Sequence, residues 1–161
     1  MNGDADRQCI VHWWKYRTGG YVALNKARQK GHPIILSPNS FMYLSCPVKP
    51  NANFPPERTS DFRKVYTAQW LPPDDPADVW KNVLGAECCV WTEHLTADML
   101  DGRVFPRILA VAELMWNYPE KRDYDRFRKR VETQTPYWRE LGVEYGEYED
   151  CTSSASSRLP V

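Results

Sequence analysis

The sequence predicts an α/β fold, and two observations predict it: short runs that are apolar on both faces, and helical patterns set between them. Strands of that kind alternating with helices imply a buried parallel sheet built from β-α-β units. A third observation concerns placement. The aromatic and carboxylate side chains that draw attention lie just past the ends of those runs, which is where a parallel α/β sheet gathers its chemistry.

The first strand is expected in "CIVHWW", Cys9 to Trp14, a β-branched and aromatic run. A helix follows in "GYVALNKARQKG", with Val22, Ala23, Lys26, Ala27 and Lys30 at helical spacing and Gly31 as the stop. "HPIILS", His32 to Ser37, is the second strand. A Pro- and Asn-rich excursion of about 40 residues comes next, and loops of such length inside a domain are usually functional or wrapped over a site. It leaves room for short helices at "SDFRKVYT" and "DPADVWKN". Leu84 to Trp91 is the third strand. "RVFPRILAVAELMW", Arg103 to Trp116, is apolar almost all round and is expected as a heavily buried helix, with Arg107 and Glu113 needing partners. A last amphipathic helix is expected from Asp123 to Leu141, with Tyr124, Phe127, Val131, Trp138 and Leu141 on one stripe and Pro136 kinking or breaking it. No internal repeat is present.

Three parallel strands with their helices are a fraction of a sheet. A complete (β/α)8 barrel takes about 250 residues and carries its site at the strand C-termini, so a sector of such a barrel, about three β/α units plus terminal helices, is the expected architecture. The 161 residues, 42% hydrophobic with zero formal net charge, describe one ordinary domain or a piece of a larger one. Charge balance leaves no electrostatic footprint for nucleic acid. No apolar run approaches the roughly 18 residues of a membrane span, and the opening "MNGDADRQ" lacks the pattern of a secretory signal. Five cysteines without a CxxC or a zinc-type Cys/His spacing argue against a metal site, and adjacent Cys88 and Cys89 read as small buried hydrophobes on opposite strand faces.

"GAECCVWTEHL" poses the functional question, because it begins as a strand and ends on an aromatic, a hydroxyl, a carboxylate and an imidazole. Seven Trp and nine Tyr, several just after strand-like runs, serve equally for core packing or as platforms on which apolar sugar faces lie. Trp13 and Trp14 close the first strand, Tyr43 follows the second, and Trp91 with Glu93 closes the third. His12 and His94 read as satisfied structural histidines. An ion pair with Arg107 is the structural alternative for Glu93.

Taken together, "HWWKYRTGG", "GHPIILSPNSFMYL", "NFPPERTSDFRKVY", "VLGAECCVWTEHL" and "RVFPRILAVAELMW" resemble, in order and spacing, the C-terminal part of the catalytic barrel of bacterial β-N-acetylhexosaminidases of glycoside hydrolase family 20. The resemblance runs from about Cys9 to Tyr145. It implies a (β/α)8 barrel of which this chain holds the last three strands, and removal of terminal N-acetylhexosamine by substrate-assisted, retaining hydrolysis. It further implies that Trp14, or Trp13 one register step away, walls the sugar pocket. In the family's Tyr-apolar-Asp motif, Tyr43 would bond the acetamido oxygen, while Ser45 stands where the family has its Asp. Trp91 would pack on the sugar ring, and Glu93 would accept bonds from the C4 and C6 hydroxyls.

The same resemblance implies an adjacent Asp-Glu pair as orienter and general acid, and no Asp-Glu dipeptide occurs in these residues. The reading divides the chain into an N-terminal stub (1–8), the C-terminal part of a catalytic domain (9–145) and a flexible Ser-rich tail (146–161). Its expected partners are N-acetylhexosamine-containing glycans and the remaining part of the barrel, with self-association where that part is wanting and no cofactor or metal. The alternative is a non-catalytic carbohydrate-binding or interaction remnant. No compartment can be read from these residues.

Overall fold

The computed structural model describes residues 9–15, 20–71, 81–118, 121–146 and 148. Three strands, β1 (Val11–Trp13), β2 (Ile34–Leu36) and β3 (Val83–Ala86), form one parallel sheet in the order β1-β2-β3. In register, Val11, His12 and Trp13 face Ile34, Ile35 and Leu36. Between β2 and β3 the register slips at Ile34/Ile35, so that Val83 opposes Ile34 while Gly85 opposes Ile35. Leu84 is the extra residue, and it is exposed.

Helix α1 (Gly20–Gln29) links β1 to β2. Its end matches expectation: Gly31 takes φ +74°, the Gly31 N–H donates to the Arg28 carbonyl, and His32 N–H donates to that of Ala27. Its face does not. Leu24 and Ala27 are the buried residues and Val22 is exposed, so the expected stripe is rotated.

Helix α2 (Phe62–Thr67) follows the long excursion and is capped by Asp61, whose carboxylate accepts from Lys64 N–H at 2.7 Å. The expected helix at "DPADVWKN" lies mainly outside the described residues, as do the N-terminal stub and most of the tail. The stretch Arg103 to Trp116 is not one helix. It divides at Phe105–Pro106 into α3 (Leu100–Val104) and α4 (Arg107–Trp116), because a proline has no N–H to continue the ladder. Nor is it buried all round: Trp116 is 93% exposed. Helix α5 (Tyr124–Glu140) runs through Pro136 without ending there; Tyr124, Phe127 and Val131 are buried, and Leu141 is exposed.

One core joins these parts. Trp13, Ile34 and Leu36 from one face of the sheet pack with Leu24 and Ala27 of α1, Phe62, Val65 and Tyr66 of α2, Ala110, Val111 and Leu114 of α4, and Phe127 of α5. Tyr66 and Phe127 stack with centroids 4.4 Å apart. Among the described residues the other face carries no helix: His12 and Glu87 are exposed there and Ile35 is half-buried. The sheet is thus covered on one face, where the sequence pattern implied two.

Candidate functional site

The bare face and the strand ends open onto a cavity of about 620 Å³. It is built from the bottom by the pleat. Trp13 and Trp14 point to opposite sides of β1, so one enters the core and the other the cavity. Trp13 is 3% exposed, its Nε1 donates to the Gly20 carbonyl at 3.0 Å, and its ring lies 5.5 Å from Tyr21. That excludes it from the cavity wall. Trp14 lines the cavity and is about half exposed.

Beyond β2 the chain does not drift away. Buried Phe41, Met42, Leu44 and Cys46 anchor the first part of the excursion, and Tyr43 forms a parallel bridge with Cys89, beyond β3. Two backbone bonds close that bridge, Leu44 N–H to the Cys89 carbonyl at 2.9 Å and Cys89 N–H to the Met42 carbonyl at 3.0 Å. The bridge brings Tyr43 to 6.2 Å from Trp91, ring to ring. Tyr43, Ser45, Trp91 and Glu93 all line the one cavity with Trp14.

Burial, reinforced by Cys89, holds the Tyr43 hydroxyl above its ordinary pKa. A phenol carries its proton at neutral pH in any case, so this hydroxyl is available as a donor. Glu93 is exposed and Arg107 fully buried, which rules out the buried ion pair between them. Glu113 instead pairs with Arg130 of α5.

Several lining residues had no place in the candidate set: Cys46, Phe54, Arg58, Cys89, His12 and His94. His12 Nε2 stands 2.9 Å from a Glu87 carboxylate oxygen, a contact that crosses from β1 to the end of β3. His94 meets Phe54 edge-on at 5.4 Å, and Arg58 lies over the same Phe54 ring at 5.3 Å. Alternation along the third strand as expected from the sequence, Leu84 to Trp91, could have found Cys89, two residues before Trp91, although the observed β3 ends at Ala86. Phe54 and Arg58 come from the long excursion, where no periodicity says which way a side chain faces.

Aromatic walls, a phenol donor and a carboxylate thus stand together above the ends of parallel strands, the end at which α/β barrels carry their sites. The family model for the catalytic domain of glycosyl hydrolase family 20 matches residues 1–119. The chain belongs to that family. It is 32% identical over 143 residues to a β-N-acetylhexosaminidase of Cellulomonas fimi, covering 84% of this chain and 28% of the relative. It is 30% identical over 149 residues to a β-hexosaminidase of Porphyromonas gingivalis, covering 90% of this chain and 19% of the relative. Among solved structures, the β-N-acetylhexosaminidase of Bacteroides fragilis superposes with a TM-score of 0.76 at 28% identity, over 93% of this chain and 31% of that one. A Streptomyces plicatus β-hexosaminidase mutant in complex with its product GlcNAc superposes with a TM-score of 0.68 at 29% identity, over 84% of this chain and 28% of that one. The chain thus spans less than a third of the length of each of these four proteins.

Proposed function

We propose that this chain supplies one side of the sugar subsite of a glycoside hydrolase that removes terminal N-acetylhexosamine from glycans, and that its sheet is a sector of an eight-stranded barrel. The observation that carries the reading is the convergence of Tyr43, Trp91, Glu93 and Trp14 on one cavity at the ends of parallel strands. On this reading the helix-free sheet face is turned toward the barrel interior.

In substrate-assisted hydrolysis the acetamido oxygen of the sugar attacks its own anomeric carbon, an exception to the two-carboxylate scheme of most glycosidases. Tyr43, held protonated, donates to that oxygen and orients it. Trp14 and Trp91 wall the ring, and Glu93 accepts from the C4 and C6 hydroxyls. Ser45 offers a hydroxyl where the family has a carboxylate, a weaker acceptor for a sugar O–H. The leaving oxygen needs a positioned acid, a contribution of about 100- to 10,000-fold in rate. With no Asp-Glu pair in its 161 residues, the chain needs another segment for that step. The same lack of an acid/base pair would suit a second reading, a carbohydrate-binding module without catalysis.

The test is kinetic. The chain alone should release no nitrophenol from a nitrophenyl N-acetylglucosaminide at an enzymatic rate. Joined to, or mixed with, the complementary part of a family 20 barrel, it should do so. In that protein Tyr43→Phe should lower kcat more than it raises KM, as expected for an interaction realised in the transition state. Glu93→Gln should raise KM, and Ser45→Asp should lower it. Turnover by the chain alone, or full activity in Tyr43→Phe, would overturn the assignment; sugar binding without turnover in the joined protein would favour the second reading.

A further inference from the structure

Arg107, at the first turn of α4, is fully buried, yet it has no carboxylate within ion-pair distance among the described residues. Its guanidinium is surrounded by oxygens from the backbone. Nη1 donates to the carbonyls of Cys46 at 2.9 Å and Ser60 at 2.7 Å and to Ser60 Oγ at 3.1 Å. Nη2 donates to the Leu44 carbonyl at 2.5 Å and to that of Arg103, and Nε donates to Arg103 at 3.0 Å. Two of these acceptors, Leu44 and Cys46, stand on either side of Ser45, and Leu44 is next to Tyr43.

A buried cation is costly, so a site that retains one must satisfy it completely. Here every acceptor is neutral, and each is a backbone oxygen or the hydroxyl of Ser60. The cost shows in the guanidinium itself: burial first, and the charge of Arg103 second, draw its pKa down to about 10. An apolar side chain of similar volume here would avoid the cost of burying a charge. What it could not do is hold three chain segments, the Leu44–Cys46 stretch, Ser60 and Arg103, at fixed angles, which a planar fork with five N–H groups does.

We infer that Arg107 is a positioning residue for the sugar site. By fixing the carbonyls that flank Ser45, it sets the angle at which Ser45 and Tyr43 meet the cavity and ties that angle to α4, a helix that touches no part of the cavity. The inference about the loop stands on the hydrogen bonds; its consequence for catalysis rests on the function proposed above.

The two parts are tested separately. In the 161-residue chain, Arg107→Lys keeps the charge but loses the fork. Hydrogen exchange should show the amides of Leu44 and Cys46 losing about tenfold or more in protection, while those of β2 change by about twofold at most, since local and global opening are read separately by this method. The Cys46 thiol, 7% exposed, should gain reactivity toward a thiol reagent to a similar degree, and Cys88 should not. Ser60→Ala removes only the side-chain acceptor and should give a smaller change with the same local pattern; it decides the matter if Arg107→Lys does not fold. Protection lost evenly over the chain, or unchanged at Leu44 and Cys46, overturns the inference. In the joined protein, Arg107→Lys should lower kcat and be non-additive with Tyr43→Phe, because the first acts through the second. Additive losses would break the link to Tyr43. A joined protein without activity would sink the proposed function and leave the exchange result standing.

Discussion

Cys88 and Cys89 are neighbours with different fates. Cys89 lines the cavity, and its Sγ lies 3.3 Å from Ser37 Oγ. Cys88 packs against the core, where burial, with Cys89 beside it, pushes its thiol up from 9.0 to about 12. The folded chain therefore holds this proton more tightly than the unfolded one. Its contribution to stability is complete below pH 9 and is lost as the pH rises toward 12, at about 1.4 kcal/mol per pH unit. Tyr145, raised from 10.0 to about 12 mainly by burial, adds to the loss from pH 10 upward. Urea midpoints measured across this range should fall with pH, and Cys88→Ala should flatten the fall between pH 9 and 10 in particular. An unchanged slope in that variant would place the loss elsewhere. At this scale the site was legible where alternation governs, since Trp13 and Trp14 cannot share a face; Trp91 and Glu93 both line the cavity, but from a bend and turn past β3 where alternation does not apply. Arg107 was legible only as a residue in need of partners. Carbonyls met by tertiary folding leave no trace in residue identity, and the ion pair with Glu93, held as the alternative, does not form.

Helix ends and helix faces were read with unequal success. Gly31 as a stop and Asp123 as a start are local chemistry, and the structure has both, with Asp123 accepting from Arg126 N–H at 2.9 Å. The break at Pro106 was equally local and was overridden by the long apolar run around it. The rotation of α1 was not available locally, because Val22 and Leu24 are both apolar and only the packing of the core chooses between them. For α2 the two kinds of contribution can be separated by experiment. Asp61→Ala removes one cap and should cost about 1 kcal/mol. Phe127→Ala empties the space between Phe62, at 5.2 Å, and Tyr66, at 4.4 Å, and should cost about 3–5 kcal/mol. Urea unfolding that ranks these two the other way would mean that α2 is held by its cap more than by α5.

The class of the fold was legible from the sequence because it depends on pattern alone: three apolar runs separated by helices gave a parallel sheet in chain order. Which face of each strand would be left without helices was not legible from the apolar runs, since such strands look alike whether a helix or a barrel interior covers them. The molecule carries this asymmetry on its surface. Among the described residues, β1 and β3 each have an edge with no paired strand, and Leu84 of β3 and Met115 and Trp116 of α4 are exposed. Unpaired edges and exposed large apolar groups favour association. Sedimentation of the isolated chain should therefore show oligomers or aggregate, and addition of the complementary barrel segment should give a single defined species. A chain that sediments as a monomer at every concentration would count against this expectation.

The bridge between Tyr43 and Cys89 also bears on the order in which the molecule takes shape. The two residues are about twice as far apart along the chain as the partners Val11 and Ile34 of the first strand pair. A doubling of the loop adds only about 0.6 kcal/mol of closure entropy, so the wider loop is no thermodynamic burden. It is a matter of timing. As the polypeptide emerges from the ribosome, β1 and β2 can pair while Cys89 and Trp91 are still inside the exit tunnel, and the cavity has one wall but not the other. The cavity is thus a late product of synthesis, completed only when the third strand arrives to meet a loop already anchored by Phe41, Met42 and Leu44.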